Sequence, residues 1–413
     1  VRCVHADWLI VPGAAPLRDG ALVLDADDVV VAVGPAQDVL ADPRFAGVQS
    51  TRIRGVAFPG LVNAHAHVEL SALHERIPGG RGFVPWVKEL IATRPTVEAA
   101  AADAAISAAA AALRASGTVA LGDVTNGLGA VNALARAGLG GVIFHEVFSL
   151  DDGRARKRIA AMADERAVLG AWPASFGYSV APHTLYTLGP AVVRELAGAA
   201  RAARSVTSLH LAEHAGERAA LERGAGPVVD WLTAQLGIDA AALPWPKLGP
   251  IAAARELGAL GPHVLLVHLT DATAEELAVV AAADAPVALC PRSNLHIEGR
   301  LPPLPAMRAA GVALALGTDS LASNASLDVL AEAKALSDAF PAVPAGELVT
   351  MATLGGARAL GLSSQLGTFA PGMRPGVVAV DGDVGADPAA WLLANLDRPR
   401  ARLAEAFGTG GDA

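Results

Sequence analysis

Eight short apolar segments, spaced through the middle of this chain and separated by Ala-rich helical stretches, limit its fold more than any other feature. They are VAFPGLVNAHAH, TVALGDV, GVIFHEVF, SFGYSVAPH, VTSLHLAE, HVLLVHL, PVALCP and VALALGTD. Helical patterns fall between or after them at 97–115, 154–168, 189–203, 215–234, 273–283, 326–338 and 345–360. That alternation predicts an α/β chain closed as a (β/α)8 barrel of the TIM type over residues 56–364. An open doubly wound sheet fits the same periodicity, but no GxGxxG follows the first strand.

The 413 residues exceed what a barrel of this kind needs, which leaves room for an accessory domain. Residues 1–55 carry β-rich runs (WLIVPG, GALVLDADDVVVAVG, TRIRG), and β-like pieces return after residue 365 as LGTFAPG and GVVAVDGD. The simplest arrangement pairs 1–55 with 365–413 in one small β-sandwich-like domain beside the barrel.

A net charge of −9 and the lack of any Lys/Arg run argue against nucleic-acid and membrane-surface partners. The Ala-rich stretch 97–115 is broken by Glu98, Asp103 and Arg114, so it does not read as a membrane span. Cys3 and Cys290 form neither a disulfide framework nor a CxxC knuckle, which suggests a reducing cytoplasm. The first residues, VRCVHADWLIVPGAAP, lack a basic-then-apolar leader pattern.

Several of the polar residues stand at strand ends. His65 and His67 close the first strand two apart, so both imidazoles face one side at the mouth where barrel enzymes place their sites. His210 ends VTSLH, His268 ends HVLLVH and Asp319 ends VALALGTD. Imidazoles plus one carboxylate suit zinc or ferrous iron with a position left for water. Such an ion lowers the pKa of bound water from 15.7 to about 7. Glu213, three residues past His210, is the candidate general acid/base; the competing reading makes it a first-turn acid of the next helix.

The ordered series PGLVNAHAH, SLHLAEH, LLVHL, CPRSN and LGTDS resembles the deaminase/chlorohydrolase branch of the amidohydrolase superfamily, over essentially the whole chain. The resemblance implies one divalent ion, Zn²⁺ or Fe²⁺, on His65, His67, His210 and Asp319. It implies Glu213 as proton shuttle and His268, with Asp319, as the group that positions water. Two-metal relatives bridge their ions with a carboxylated lysine at the fourth strand's end. SFGYSVAPH contains no lysine, which points to a single ion.

The stretch HVELSALHERIPGGRGFVPWVKELIATR, with CPRSN and TDSLASNASL, resembles aminodeoxyfutalosine deaminases of menaquinone biosynthesis. That implies an adenine-type nucleoside as substrate, with Phe83 and Trp86 walling the purine and His183 bonding it. Glu69 is the candidate for a ribose hydroxyl, Arg292 for a substrate carboxylate, and Asn294 and Ser320 for other pocket contacts. Two features depart from the pattern. GMRPGVVAVDGD lacks an acidic spacing common in relatives, and Glu89 stands only near the Glu that related nucleoside deaminases carry after the Trp. Other members of the branch act on S-adenosylhomocysteine, methylthioadenosine, guanine or triazines, and a ligand-binding barrel without catalysis is the reading from another class. A homodimer is carried over from the resemblance alone.

Overall fold

The computed structural model describes residues 1–237 and 239–407; the last six residues of the expected 365–413 segment lie outside the described residues. Four strands open the chain: β1 (Arg2–Leu9), β2 (Leu17–Leu24), β3 (Val30–Pro35) and β4 (Ser50–Pro59). Eight follow in the middle: β5 (Leu61–Ala66), β6 (Thr118–Thr125), β7 (Gly140–Val147), β8 (Phe176–Pro182), β9 (Thr207–Leu211), β10 (Val264–His268), β11 (Val287–Leu289) and β12 (Leu314–Leu316). Two more close the chain, β13 (Val377–Asp381) and β14 (Ala401–Ala404).

The two ends of the chain share one six-stranded sheet of order β14-β13-β4-β1-β2-β3. Alternate residues of β1 and β2 serve opposite faces, as the strand period of two requires. Val4, Ala6, Leu22 and Leu24 pack with Ile53, Ala57 and Val377, while Cys3, Ala21 and Val23 pack under Ala36, Val39 and Phe45. β4 runs to Pro59, beyond the boundary expected at 55, because its apolar VAFP stretch pairs with β13 up to Pro59. The long run VAFPGLVNAHAH is therefore two strands broken at Gly60.

The middle strands form a (β/α)8 barrel made of two parallel four-stranded halves, β5-β6-β7-β8 and β12-β11-β10-β9. β6 and β7 are buried along their whole length, which is why they read as continuous apolar runs. One seam closes where Ala66 bridges Asp319 and the His65 carbonyl accepts from the Thr318 and Asp319 amides at 2.9 and 3.1 Å. At the other, Thr207 Oγ1 donates to the Val180 carbonyl at 3.0 Å, and the His210 amide donates to the His183 carbonyl at 3.0 Å.

A glycine makes the first seam this close. A Cβ at Gly317 would sit 2.7 Å from the Cβ of His65, so any larger residue would push β12 away from β5. Fully buried Asn63 also ties the seam: its Nδ2 donates to Thr318 Oγ1 at 2.7 Å and its Oδ1 accepts the Thr318 amide at 3.2 Å.

Two sequence expectations are corrected. The helical run 215–234 is two helices, Ala215–Arg223 and Pro227–Leu236, because Gly224 and Gly226 take positive φ and Pro227 starts the second. LGTFAPG forms turns rather than a strand, and the C-terminal segment holds a short helix, Pro388–Ala394, capped by the Asp387 carboxylate. Among the described residues no single helix is long and apolar enough to cross a membrane.

Asn63→Ala removes the donor to the Thr318 hydroxyl and the second acceptor of the Thr318 amide, which keeps the His65 carbonyl, in a buried seam. It is expected to lower stability by roughly 1–3 kcal/mol, read as a fall in the urea midpoint with an unchanged slope. A midpoint within error of wild type would mean that the seam does not depend on this side chain.

Candidate metal centre

The ends of β5, β9 and β10 and the turn after β12 place four imidazoles and a carboxylate in one cluster. Ring centroids of His65 lie 4.8 Å from His67, 4.9 Å from His210 and 5.9 Å from His268. Asp319 Oδ1 is 3.8 Å from His65 Nε2 and 3.6 Å from His67 Nε2. The backbone bends sharply to do this: His268 has φ 77, Asp319 φ 56 and Ala212 φ 48, a left-handed conformation that costs a residue with a Cβ roughly 1–2 kcal/mol. The bend at Ala212 comes just after β9 and immediately precedes Glu213.

Several observations fit a cation here. Among the described residues both ring nitrogens of fully buried His65 lack a hydrogen-bond partner, a state rare for buried polar groups. The Nε2 atoms of His67 and His210 face each other at 3.3 Å, where two lone pairs repel unless a proton or a cation lies between them. Burial holds His65 well below the usual imidazole range and brings His210 down to about 3 and His268 to about 4, so their lone pairs stay available. Burial would raise Asp319, but His67, His268 and the Ser293 hydroxyl outweigh it and keep the carboxyl below its ordinary value. His65, His67 and Asp319 form one group of donor atoms able to hold a metal ion, and His65, His210 and His268 form an overlapping one.

Hydrogen bonds from behind fix the donors. Asp319 Oδ2 accepts from Ser293 Oγ at 2.6 Å and Ser323 Oγ at 3.2 Å, which leaves Oδ1 toward the histidines. His210 Nδ1 donates to the His183 carbonyl at 3.2 Å, presenting Nε2 to the cluster. Asn294 Nδ2 donates to His268 Nδ1 at 3.2 Å. Glu213 Oε1 is 3.7 Å from His268 Nε2, and burial, with Asp319 and Glu217 adding to it, pushes the Glu213 carboxyl well above its ordinary value. The helix after it starts at N-cap His214, and its first-turn acid is Glu217, whose Oε2 accepts the Glu213 amide at 2.9 Å. The helix-capping reading of Glu213 is thus taken by another residue.

The cavity over this cluster is lined by His67, His210, Glu213, His268 and Asp319 together with Glu69, Phe83, Trp86, His183 and Ser320. The helix Phe83–Thr93 crosses it. Phe83 stacks on His214 at 4.2 Å and Trp86 Nε1 donates to the Ala322 carbonyl at 3.4 Å. His183 Nδ1 is 2.8 Å from Thr187 Oγ1, and the Ser320 hydroxyl has no partner.

Three expected substrate contacts stand differently. Arg292 is not part of the lining; it donates to Ser326 Oγ at 3.0 Å and sits 3.7 Å from buried Glu332. Asn294 is fully buried behind His268 and also absent from the wall. Both belong to the helix Pro291–Glu298, and CPRSN reaches the cluster through Ser293 instead. Glu69 does line the cavity, but its carboxylate is already engaged: Oε1 accepts from Arg94 and the Asn126 amide, and Oε2 from the Gly127 amide, with Thr125 Oγ1 at 2.9 Å.

Sequence reasoning missed Glu146, at the end of β7, which is buried against the cavity. Asn126 Nδ2 donates to its Oε2 at 3.0 Å, while Oε1 lies 3.6 Å from His210 Nδ1 with no hydrogen-bond partner. Its signal was available: like His210 and His268, it is an ionisable residue near the end of an apolar strand. Ser293 and Ser323 carried no such signal, because serines near strand ends are common.

A parallel barrel whose mouth gathers buried imidazoles around one carboxylate has donor groups able to hold a metal ion. The comparisons with known proteins narrow the class. Residues 56–408 match the amidohydrolase family model, and the chain belongs to that family. It is 31% identical over 375 residues to an aminodeoxyfutalosine deaminase of Deinococcus radiodurans, covering 87% of this chain and 86% of the relative. It is 30% identical over 391 residues to a 5-methylthioadenosine/S-adenosylhomocysteine deaminase of Moorella thermoacetica, covering 91% of this chain and 84% of the relative. In fold it matches Helicobacter pylori aminofutalosine deaminase, solved with methylthio-coformycin, at TM-score 0.86 and 20% identity over 98% of this chain and 99% of that one.

Two tests follow. Ser293→Ala removes the shortest bond to Asp319 and is expected to weaken zinc retention about tenfold or more, measured by competition with a chelator; affinity equal to wild type would remove Ser293 from the site. The second concerns acid. Burial holds His183, His210 and His214 at about 3 and His268 at about 4, whereas unfolded histidines take up protons near pH 6.5. Below 6.5 the unfolded chain binds more protons, so stability of the metal-free protein is full above that pH and falls toward pH 4. Urea midpoints across pH 4–8 check this; a flat profile contradicts it.

Proposed function

We propose that the protein is a metal-dependent hydrolytic deaminase of an adenine-type nucleoside, with 6-amino-6-deoxyfutalosine as its substrate and a cytoplasmic place in menaquinone biosynthesis. The observation that carries the reading is Glu213, a carboxyl whose pKa burial pushes upward, 3.7 Å from His268 and lining the same cavity as the His–Asp cluster. Relatives of near-equal identity carry the two nucleoside names given above, and methylthioadenosine or S-adenosylhomocysteine as substrate is the second reading that this supports.

His65, His67, His210 and Asp319 would hold one divalent ion; three nitrogens and a carboxylate oxygen suit Zn²⁺, and also Fe²⁺. When bound, the ion supplies Lewis acidity that makes water acidic enough to react at neutral pH. The chain's own groups do the rest. His268, fixed by Asn294, and Asp319 Oδ1 hold the attacking water against C6 of the purine. Glu213 gives its proton to N1, so C6 becomes electrophilic, and recovers one from the water as the C6–O bond forms. It then passes that second proton to the amino nitrogen as the C6–N bond breaks. As the C6–N bond breaks, the C6 hydroxyl returns its remaining proton to Glu213 and becomes the carbonyl. One water proton thus finishes in ammonia and the other restores Glu213, whose original proton stays on N1, so the atoms balance. Phe83 and Trp86 would wall the purine, and His183 and Ser320 would bond its polar edge.

Glu213→Gln is expected to retain zinc while ammonia release falls about 10²- to 10⁴-fold, the usual share of acid–base catalysis. A variant with near-wild-type turnover would refute the role. Wild-type protein is compared on aminodeoxyfutalosine, adenosine, methylthioadenosine, S-adenosylhomocysteine and guanine. Preference for the first supports the named substrate, and preference for another keeps the site and replaces the substrate.

A further inference from the structure

The cavity has a second end that the deamination chemistry does not use. Phe83, Trp86, Val87, Leu90 and Arg94 all line it, at spacings of three, four, seven and eleven from Phe83. At 100° per residue these positions share one helix face, and at 1.5 Å per residue they span about 16 Å. The Phe83 end lies on His214, next to Glu213, and Trp86 meets Ala322, three residues past Asp319. The other end is Arg94, just past the helix, where its Nη2 donates to Glu69 Oε1 at 3.1 Å and its Nη1 to Asn126 Oδ1 at 3.2 Å. The helix face is thus apolar from the reacting end outward and finishes on a cation.

Arg94 is the one cationic side chain lining this cavity among the described residues, where Glu69, Glu146, Glu213 and Asp319 are the acids. A guanidinium has five N–H donors, and the two bonds above leave three. Its side chain is 42% exposed, which keeps that remaining edge open. A planar fork of this kind matches a carboxylate in two-point fashion.

We propose that Arg94 is a specificity residue that binds an anionic group at the far end of the substrate. This rests on the deaminase reading. With the purine at Glu213, the sugar and its 5′ substituent run beneath Trp86, Val87 and Leu90 toward Arg94. The substrate class is therefore an adenine nucleoside whose 5′ extension is apolar along its length and ends in a carboxylate. Glu146, whose Oε1 has no hydrogen-bond partner among the described residues, lines the same cavity and takes a sugar hydroxyl.

The test compares Arg94→Gln and Arg94→Lys with wild type on aminodeoxyfutalosine, which ends in an aryl carboxylate, and on neutral methylthioadenosine. Arg94→Gln is expected to raise KM for the carboxylate substrate ten- to hundredfold with kcat moving less than threefold, and to move KM for methylthioadenosine far less. Arg94→Lys should recover part of the loss, because it restores the charge without the fork. Equal losses on both substrates would assign Arg94 only to bracing Glu69 and the 125–127 loop, and would overturn the proposal. No change on the carboxylate substrate would overturn it as well. Wild-type protein that deaminates neither compound would overturn the deaminase reading itself, a failure visible before any variant is made.

Discussion

The structure depends on keeping several ionisable groups dry at one end of a barrel. His65, His268, Glu213 and Asp319 are all buried there, and water supplies almost none of their hydrogen bonds. Burying such groups costs free energy unless partners satisfy them. The fold meets that cost in two ways. Burial lowers the pKa of His65 and His268 and raises that of Glu213, which favours their neutral forms and reduces the charge in the cluster. The charge that remains on Asp319 is shared between two serine hydroxyls and the facing histidines. What stays unsatisfied, above all His65, is where a cation fits.

That constraint explains features that otherwise look unrelated. Left-handed residues at Ala212, His268 and Asp319 turn three strand ends into the mouth. Gly317 and Asn63 hold β12 close enough to β5 for Asp319 to meet His65 and His67. A hydrolytic site needs this rigidity because its donors must stay in place while charge develops during reaction. The helix Phe83–Thr93 lines the cavity over the buried carboxyls with Phe83 and Trp86.

Much of the fold and of the cluster was legible in the sequence, and the reasons are physical. A barrel strand buried on both faces must be apolar throughout, so a His, Glu or Asp at its tip stands out. That is how His65, His67, His210, His268 and Asp319 were found, and all five meet in the structure. Side chains on loops and helices give no such contrast. Arg292 and Asn294 occupy one helix after β11, and only the three-dimensional path reveals that Ser293 between them is the residue facing Asp319. Glu69 has the right parity along the chain and lines the cavity, yet its bonds to Arg94, the Asn126 and Gly127 amides and the 125–127 loop are invisible in a sequence. Element boundaries shifted where glycine or proline interrupts a periodic run, at Gly60, Gly224 and Gly226.

The most direct test of the central claim is the anomalous X-ray signal at the zinc edge from crystals of the zinc-loaded protein. The account predicts one peak per chain, about 2.0–2.2 Å from donor atoms of His65, His67, His210 and Asp319. Two peaks, a peak held by Glu146 and His183, or none at full zinc loading would contradict it.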